Sequence, residues 1–375
     1  MQTPYYEYDI ALLNSILSTA KEEAQRYSYK IHYALKANSN HILLKEIARQ
    51  GFGADCVSAN EIRVALENGF PANSIVFAGV GKSDSELEYA ISKDIECINC
   101  ESVQELEVIN QIASSLGKVP KVALRVNPNV DAKTHRLITT GLKENKFGIS
   151  LKEAEWVFAN KNNFNHINFV GLHFHIGSQI LNLEVFKQLA IVVNRIQKSL
   201  GTINMPYLNL GGGLGIDYEN PLKNPVPNFD GFFRTVNEHL IPGENQTIHF
   251  ELGRSLVGQC GKLYTSVLYV KETFSKRFAI VDAGMNALIR PALYGASHKI
   301  ENISGGKSDE LFSYDVVGPI CETSDCFAED ATLPKTSRGD ILVIHSCGAY
   351  AESMASDYNL RERPRSVYVG IEVLA

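Results

Sequence analysis

Ile31-His32-Tyr33-Ala34-Leu35-Lys36-Ala37-Asn38-Ser39-Asn40 joins an apolar run to a single lysine and then to small and polar residues. From His41 onward apolar residues recur at helical spacing. The stretch reads as a buried strand, a turn and a helix, with Lys36 at the carboxyl end of the strand. An ammonium there is costly unless it is solvated, paired or chemically employed. Lys36 has therefore either reached the strand's solvent edge or has a reaction to perform. These ten residues alone favour the edge.

The same unit repeats outward from there. Strand-like runs lie near 30–36, 51–57, 74–79, 95–99, 121–127, 166–175, 206–210 and 246–251. Helical patterns lie near 41–50, 59–69, 83–93, 101–116, 150–161, 182–200 and 229–240, with an earlier one at 9–26. Ser58-Ala59-Asn60-Glu61 carries the spacing of a capping box. Such alternation implies parallel strands joined by right-handed crossovers. Eight strands predict a (β/α)8 barrel, although a doubly wound open sheet shares the rhythm. Past residue 255 the rhythm changes: Val257–Lys271, Arg277–Asp282, Phe312–Val317, Asp340–His345 and Ser366–Val373 read as strands with few helices between them. The expected organisation is α/β, a TIM-like barrel over 9–255 and a β-rich barrel or sandwich domain over 256–375, joined by a strand at 1–8.

At 375 residues and 45% hydrophobic content, the chain can bury two cores. A net charge of -6 argues against nucleic acid and anionic membranes as partners. No apolar run is long enough to span a bilayer. Met1-Gln2-Thr3-Pro4-Tyr5-Tyr6-Glu7 lacks the basic and apolar regions of a signal peptide, so the cytoplasm is the expected location. Seven cysteines suit reduced thiols rather than a disulfide framework. Cys97 and Cys100 form a lone C-x-x-C with no matching pair or neighbouring histidine, and no metal is expected.

Barrel chemistry sits at the carboxyl ends of the strands. There the sequence has Lys36, Asp55, Arg125 with Asn127, His173 with His175, Asn209 and Glu251. Gly177-Ser178-Gln179 and Gly211-Gly212-Gly213-Leu214-Gly215 follow two of those ends. The glycine run is not the dinucleotide fingerprint. It can present backbone N–H groups to a phosphate, and it can equally be a tight turn. Glu251-Leu252-Gly253-Arg254 offers a carboxylate and a guanidinium. The two form either a surface ion pair or the ends of a site for a cofactor carrying a basic nitrogen and a phosphate. Pyridoxal 5'-phosphate has that layout and requires a lysine.

Tyr33-Ala34-Leu35-Lys36-Ala37-Asn38 resembles the cofactor-lysine motif of the fold-type III pyridoxal-phosphate enzymes, the group with an alanine racemase-like barrel. Gly171 through Gln179 resembles the segment carrying that group's ring-stacking histidine, and Gly211-Gly212-Gly213 its phosphate loop. Glu251-Leu252-Gly253-Arg254 is similar to a Glu-Pro-Gly-Arg motif, with leucine where proline is usual. Further stretches resemble the diaminopimelate decarboxylase branch: Thr134-His135 through Ile149, Val281 through Asn286, Ile289 through Gly295, Val317 through Asp325, and Gly348-Ala349-Tyr350. The resemblance runs over roughly 28–360.

It implies decarboxylation of meso-2,6-diaminopimelate to L-lysine and CO2. Lys36 would form the Schiff base, His175 would stack on the pyridine, and Glu251 would bond its protonated nitrogen. Gly211, Gly212, Gly213, Ser178 and Tyr350 would hold the phosphate, with Gly253 and Arg254 beside it. Cys321 would protonate the carbon that loses CO2. Arg254, Arg290 and Tyr294, with Tyr350, would bind the substrate's distal carboxylate, and Glu322 its distal ammonium. Cys321 and Glu322 would come from the partner subunit of a homodimer with shared sites. Other members of the group act on arginine, ornithine or a carboxylated polyamine. A catalytically silent cofactor-binding member would lack Lys36 or Cys321, and both are present.

Overall fold

The computed structural model describes residues 2–130, 146–304 and 310–370. Residues 134–145 of one resembling stretch, and 371–373 of the last expected strand, lie outside the described residues. In chain order the first elements are β1 (Tyr5–Asp9), α1 (Ile10–Gln25), β2 (Lys30–Ala34), α2 (His41–Arg49), β3 (Gly53–Cys56) and α3 (Ala59–Glu67). They continue with β4 (Ile75–Phe77), α4 (Asp84–Ser92), β5 (Cys97–Cys100), α5 (Val103–Leu116), β6 (Lys121–Arg125) and α6 (Leu151–Ala159). Then come β7 (Asn168–His173), α7 (Leu183–Leu200), β8 (Tyr207–Asn209), α8 (Phe229–His239), β9 (Thr247–Leu252) and the single turn α9 (Arg254–Val257). The remainder is β10 (Gly261–Glu272), β11 (Arg277–Val281), α10 (Arg290–Tyr294), β12 (Ile300–Asn302), β13 (Leu311–Val317), β14 (Cys326–Pro334), β15 (Ile341–Ile344) and β16 (Arg365–Val369).

These elements fall into two compact units: Leu17–Gly215 with Asn228–Gly253, and Met1–Ile16 with Ile216–Pro227 and Arg254–Ala375. In the first unit β2 to β9 form a closed parallel barrel. It closes between β2 and β9, with Lys30 opposite His249 and His32 opposite Glu251. Strands buried on both faces must be apolar almost throughout, which is why short apolar runs marked them. Serines cap α3 to α6, and asparagines cap α2, α7 and α8. Ser150 Oγ accepts from the Glu153 N–H at 3.3 Å, and Glu153 accepts from the Ser150 N–H at 2.8 Å. At Ser58 the expected reciprocal box is half formed. Its hydroxyl accepts from the Glu61 N–H, but the Glu61 carboxylate reaches back to the N–H of Val57 at 2.7 Å, one residue earlier.

The outer layer of this unit is knit by aromatic rings. Phe186 of α7 meets Phe232 of α8 edge-on at 4.6 Å, and Phe232 and Phe233 both pack on Phe250 of β9. All four rings are buried. This fixes the last strand, whose next residue is Glu251.

The second unit is built on an eight-stranded, mostly antiparallel sheet in the order β12-β15-β10-β11-β13-β14. β1 lies antiparallel to β10 and parallel to β16. Two strands escape the sequence reading. β12 has three residues, and β14 carries Glu329, Asp330 and Thr332 toward solvent, so neither shows an apolar run. The strand expected from Val257 starts only at Gly261, because Arg254–Val257 winds into a buried helical turn. Residues 216–227, between β8 and α8, belong to this unit. Gln259 Nε2 donates to the carbonyls of Asp217 and Asn224 at 2.9 and 3.2 Å, holding that excursion in place.

Candidate active site

In the barrel unit two of the polar residues expected at the strand ends, His173 and Asn209, meet on one carboxylate, while Arg125 pairs with Glu101 at 2.6 Å. Glu251 is buried, next to last in β9. Its Oε1 accepts from Asn99 Nδ2 of β5 at 3.0 Å and from Asn209 Nδ2 of β8 at 2.8 Å. Its Oε2 meets His173 Nε2 of β7 at 2.9 Å. Burial alone would raise its pKa. The charge of and hydrogen bond from His173, with the Lys36 ammonium, overcome that and hold it ionised. Asn209 is itself fixed, its Oδ1 accepting from the Gly211 N–H at 2.8 Å.

Lys36 lies just past its strand. β2 ends at Ala34, and Leu35–Ala37 form one 3-10 turn. Its Nζ stands 3.5 Å from Oδ2 of the fully buried Asp55, while the lysine side chain itself stays part-exposed. Burial and the Glu251 charge raise the Asp55 pKa, and Lys36 opposes them. His175 follows β7. Its Nδ1 accepts from the Gly212 N–H at 3.1 Å, which leaves the ring proton on Nε2. Burial and the Arg125 and Lys36 charges push its pKa down, so the imidazole is neutral.

The glycine run is a shaped loop. Gly211 and Gly213 have φ of +71° and +115°, which side chains disfavour, and a Cβ at Gly212 would strike the Glu251 carbonyl. Ser178 stands on the neighbouring turn, part-exposed. Gly253 allows the chain to pass Ala34 and Ala37, where a Cβ would come within 3.2 and 3.0 Å of theirs. Asp55 Oδ1, Asn99 Oδ1 and His173 Nδ1 are buried with no hydrogen-bond partner among the described residues. An amine, an ionised carboxylate, a neutral ring and a loop stripped of Cβ atoms suit pyridoxal phosphate, and the unpartnered atoms mark a polar interior with capacity to spare.

The second unit gathers a different set. Arg254 and Arg290 are both buried. Arg254 Nη1 donates to the Tyr218 hydroxyl at 2.7 Å, and its guanidinium lies 4.8 Å from the centre of the Tyr350 ring. Arg290 lies 4.6 Å from the Tyr218 ring and donates to His298 Nε2 at 2.7 Å. Glu251 and Arg254 are thus not a surface ion pair. Tyr350 has φ of +58°, a costly conformation for a tyrosine of the kind that collects at functional sites. Tyr294 ends α10, whose second residue is Pro291.

Cys321 and Glu322 stand on an exposed turn between β13 and β14. The Cys321 N–H donates to Asn359 Oδ1 at 3.1 Å, and the Tyr358 hydroxyl donates to Glu322 Oε1 at 2.5 Å. Buried Asp325 shapes that turn by accepting the N–H groups of Ile320 and Met285, both at 2.6 Å.

Four polar residues go unassigned by sequence reasoning: Asn99, Tyr218, His298 and the anchoring role of Asp325. Asn99 interrupts an apolar strand, a signal that was available. The others become visible only through the partners the fold gives them: Arg254 and Arg290 for Tyr218, Arg290 and the His345 carbonyl for His298, and the N–H groups of Ile320 and Met285 for Asp325. A second polar cluster lies earlier along the strands, where His32 Nε2 and His249 Nδ1 share a hydrogen bond at 2.9 Å and Glu96 pairs with Lys30 at 3.4 Å. Cys97 and Cys100 are buried free thiols.

Residues 12–258 match the family of pyridoxal-dependent decarboxylases, in its pyridoxal-binding domain. A diaminopimelate decarboxylase of Bacteroides thetaiotaomicron is 51% identical over 97% of this chain and 95% of its own. The crystal structure of diaminopimelate decarboxylase from Helicobacter pylori complexed with L-lysine superposes with a TM-score of 0.92 at 43% identity, covering 98% of this chain and 92% of that one. A lysine/ornithine decarboxylase from Vibrio vulnificus, at 21% identity, shares the fold with a TM-score of 0.84 over 98% of this chain and 94% of that one. The chain belongs to the diaminopimelate decarboxylases, within the pyridoxal-dependent decarboxylase family.

Proposed function

We propose that this chain decarboxylates meso-2,6-diaminopimelate to L-lysine and CO2, with pyridoxal 5'-phosphate as cofactor. The observation that carries the reading is Arg290. Arg290 is 4% exposed, and among the described residues its guanidinium donates to an imidazole rather than to a carboxylate. A buried cation left with its charge calls for an anionic ligand. Ornithine and lysine offer no second carboxylate for it, and diaminopimelate does.

Lys36 would hold the cofactor through its amine, which Asp55 orients. Gly211, Gly212, Gly213, Ser178 and Tyr350 would hold the phosphate, with Gly253 and Arg254 beside it. When bound, the cofactor would supply the electron sink for the pair released as CO2 leaves. Glu251, held ionised, would accept from the pyridine N–H, which favours decarboxylation. The neutral His175 would stack on the ring. Cys321 would give its Sγ proton to the carbon that has lost CO2. Arg254, Arg290, Tyr294 and Tyr350 bind the distal carboxylate, and Glu322 the distal ammonium. The exposure of Cys321 and Glu322 supports their acting across a homodimer interface, in the site of the partner copy. The enzyme works in the cytoplasm.

The test is to load the protein with pyridoxal phosphate and assay CO2 release and L-lysine formation from meso-diaminopimelate, beside L-arginine, L-ornithine and L-lysine. Turnover of the diamino diacid alone is expected. Equal or better turnover of ornithine or arginine would move the chain to another decarboxylase specificity. Borohydride reduction should fix the cofactor on Lys36.

A further inference from the structure

Arg290 raises a physical problem that its neighbours solve. An arginine placed to receive a substrate carboxylate must be held in position without being neutralised. An aspartate or glutamate partner would fix it and also occupy the charge meant for the ligand. His298 does the first without the second. Its Nδ1 lies 2.8 Å from the carbonyl of His345, at the end of β15, and a carbonyl can only accept. The ring therefore carries its proton on Nδ1. Its Nε2, 2.7 Å from Arg290 Nη1, is left as a lone pair facing a group that can only donate. His298 is buried, and the Tyr218 ring packs edge-on against it at 4.9 Å, so the imidazole cannot swing away. Arg290 Nε is buried with no hydrogen-bond partner among the described residues, so the guanidinium keeps donor capacity beyond the bond to His298.

From this geometry we infer that His298 is a positioning residue for substrate recognition: it orients Arg290 through a neutral hydrogen bond that leaves the positive charge free for the distal carboxylate of the substrate. The inference rests on the reading of Arg290 given above. It goes beyond that reading in assigning a tautomer and a role to a residue that touches neither substrate nor cofactor.

The test compares two variants in the cofactor-loaded enzyme. In His298→Asn the side-chain amide can still donate to the His345 carbonyl, but the acceptor for Arg290 is lost. In His298→Gln an amide oxygen reaches toward the Nε2 position and restores that acceptor. The expected result is a KM for meso-diaminopimelate raised about tenfold or more in His298→Asn, the range for a lost hydrogen bond to a charged group. kcat should stay within about twofold, and His298→Gln should lie near the parent. A residue that only filled space would give the reverse order or lower kcat and KM terms together. In an Arg290→Ala background, His298→Asn should raise KM no further. An unchanged KM in His298→Asn, or an equal rise with and without Arg290, would overturn the inference while leaving the proposed function standing. An unchanged KM in Arg290→Ala itself would overturn the role of Arg290 and the inference with it.

Discussion

Glu251 in the barrel unit and Arg290 in the β-sheet unit are both buried charges, and they are treated in opposite ways. Glu251 receives three hydrogen bonds, from Asn99, Asn209 and His173, and is held ionised. Arg290 donates to a neutral imidazole and, among the described residues, keeps a buried Nε without a hydrogen-bond partner. A charge serving a resident cofactor can be fixed completely, because its partner stays in place. A charge serving a substrate that comes and goes must be positioned and left unsatisfied. On the proposed function, the chemistry would rest on Lys36 and Glu251, and the choice of substrate on Arg254 and Arg290.

The comparison breaks most visibly at Lys36. Lys36→Ala should lower CO2 release by on the order of 10³-fold or more, since the amine proposed to attach the cofactor is lost. Thermal unfolding should shift by only a few degrees, because the lysine side chain is 39% exposed. Steady-state assays and a melting curve check both halves. Glu251→Gln tests the fixed charge next. It keeps the size but removes the anion, and kcat should fall about 10²-fold with a smaller change in KM. An unchanged kcat would mean that the anchored carboxylate is structural.

Arg290→Ala tests the unsatisfied charge. A lost charge-assisted contact is worth about 1.5–3 kcal/mol, so KM for meso-diaminopimelate should rise roughly 10- to 150-fold. The visible absorbance of the bound cofactor should be unchanged.

Much of the barrel was legible because its determinants are local. Each strand is a short apolar run, each following helix has its own periodicity, and the catalytic side chains stand within a few residues of a strand's end. Lys36 itself looked unremarkable until the other strand ends were read with it, since its partner Asp55 lies on the next strand. The second unit was harder to read for a physical reason. Its short or half-solvated strands β12 and β14 lack apolar runs, and its arginine cluster is assembled from far apart in the chain. Tyr218 arrives on the excursion 216–227, which interrupts the barrel's own segment of sequence, and His298 is oriented by the carbonyl of His345. No local pattern announces either.

The smallest expected effect concerns pH. Burial and the nearby Arg290 and Arg254 charges depress the His298 pKa from its usual range to about 3. The unfolded chain binds this proton near pH 6.5 and the folded chain does not, so the group's contribution to stability is complete above pH 6.5 and is lost as the pH falls toward 3. The slope from this one group is at most about 1.4 kcal/mol per pH unit. Denaturant unfolding between pH 7 and 5 should show a shallower decline in His298→Gln than in the parent. Parallel curves would assign the acid sensitivity to other groups, such as His175 and His249, whose pKa values are also depressed by burial.

The central claim, that the second unit's arginines select a diamino diacid for a barrel able to decarboxylate amino acids, is met most directly by one comparison of kcat/KM. The substrates are meso-diaminopimelate and L-lysine, assayed with the parent protein and with Arg290→Ala. The account predicts strong preference for diaminopimelate in the parent, and a collapse of that preference in the variant through KM. Equal use of both substrates by the parent, or a preference that survives the loss of Arg290, would contradict it.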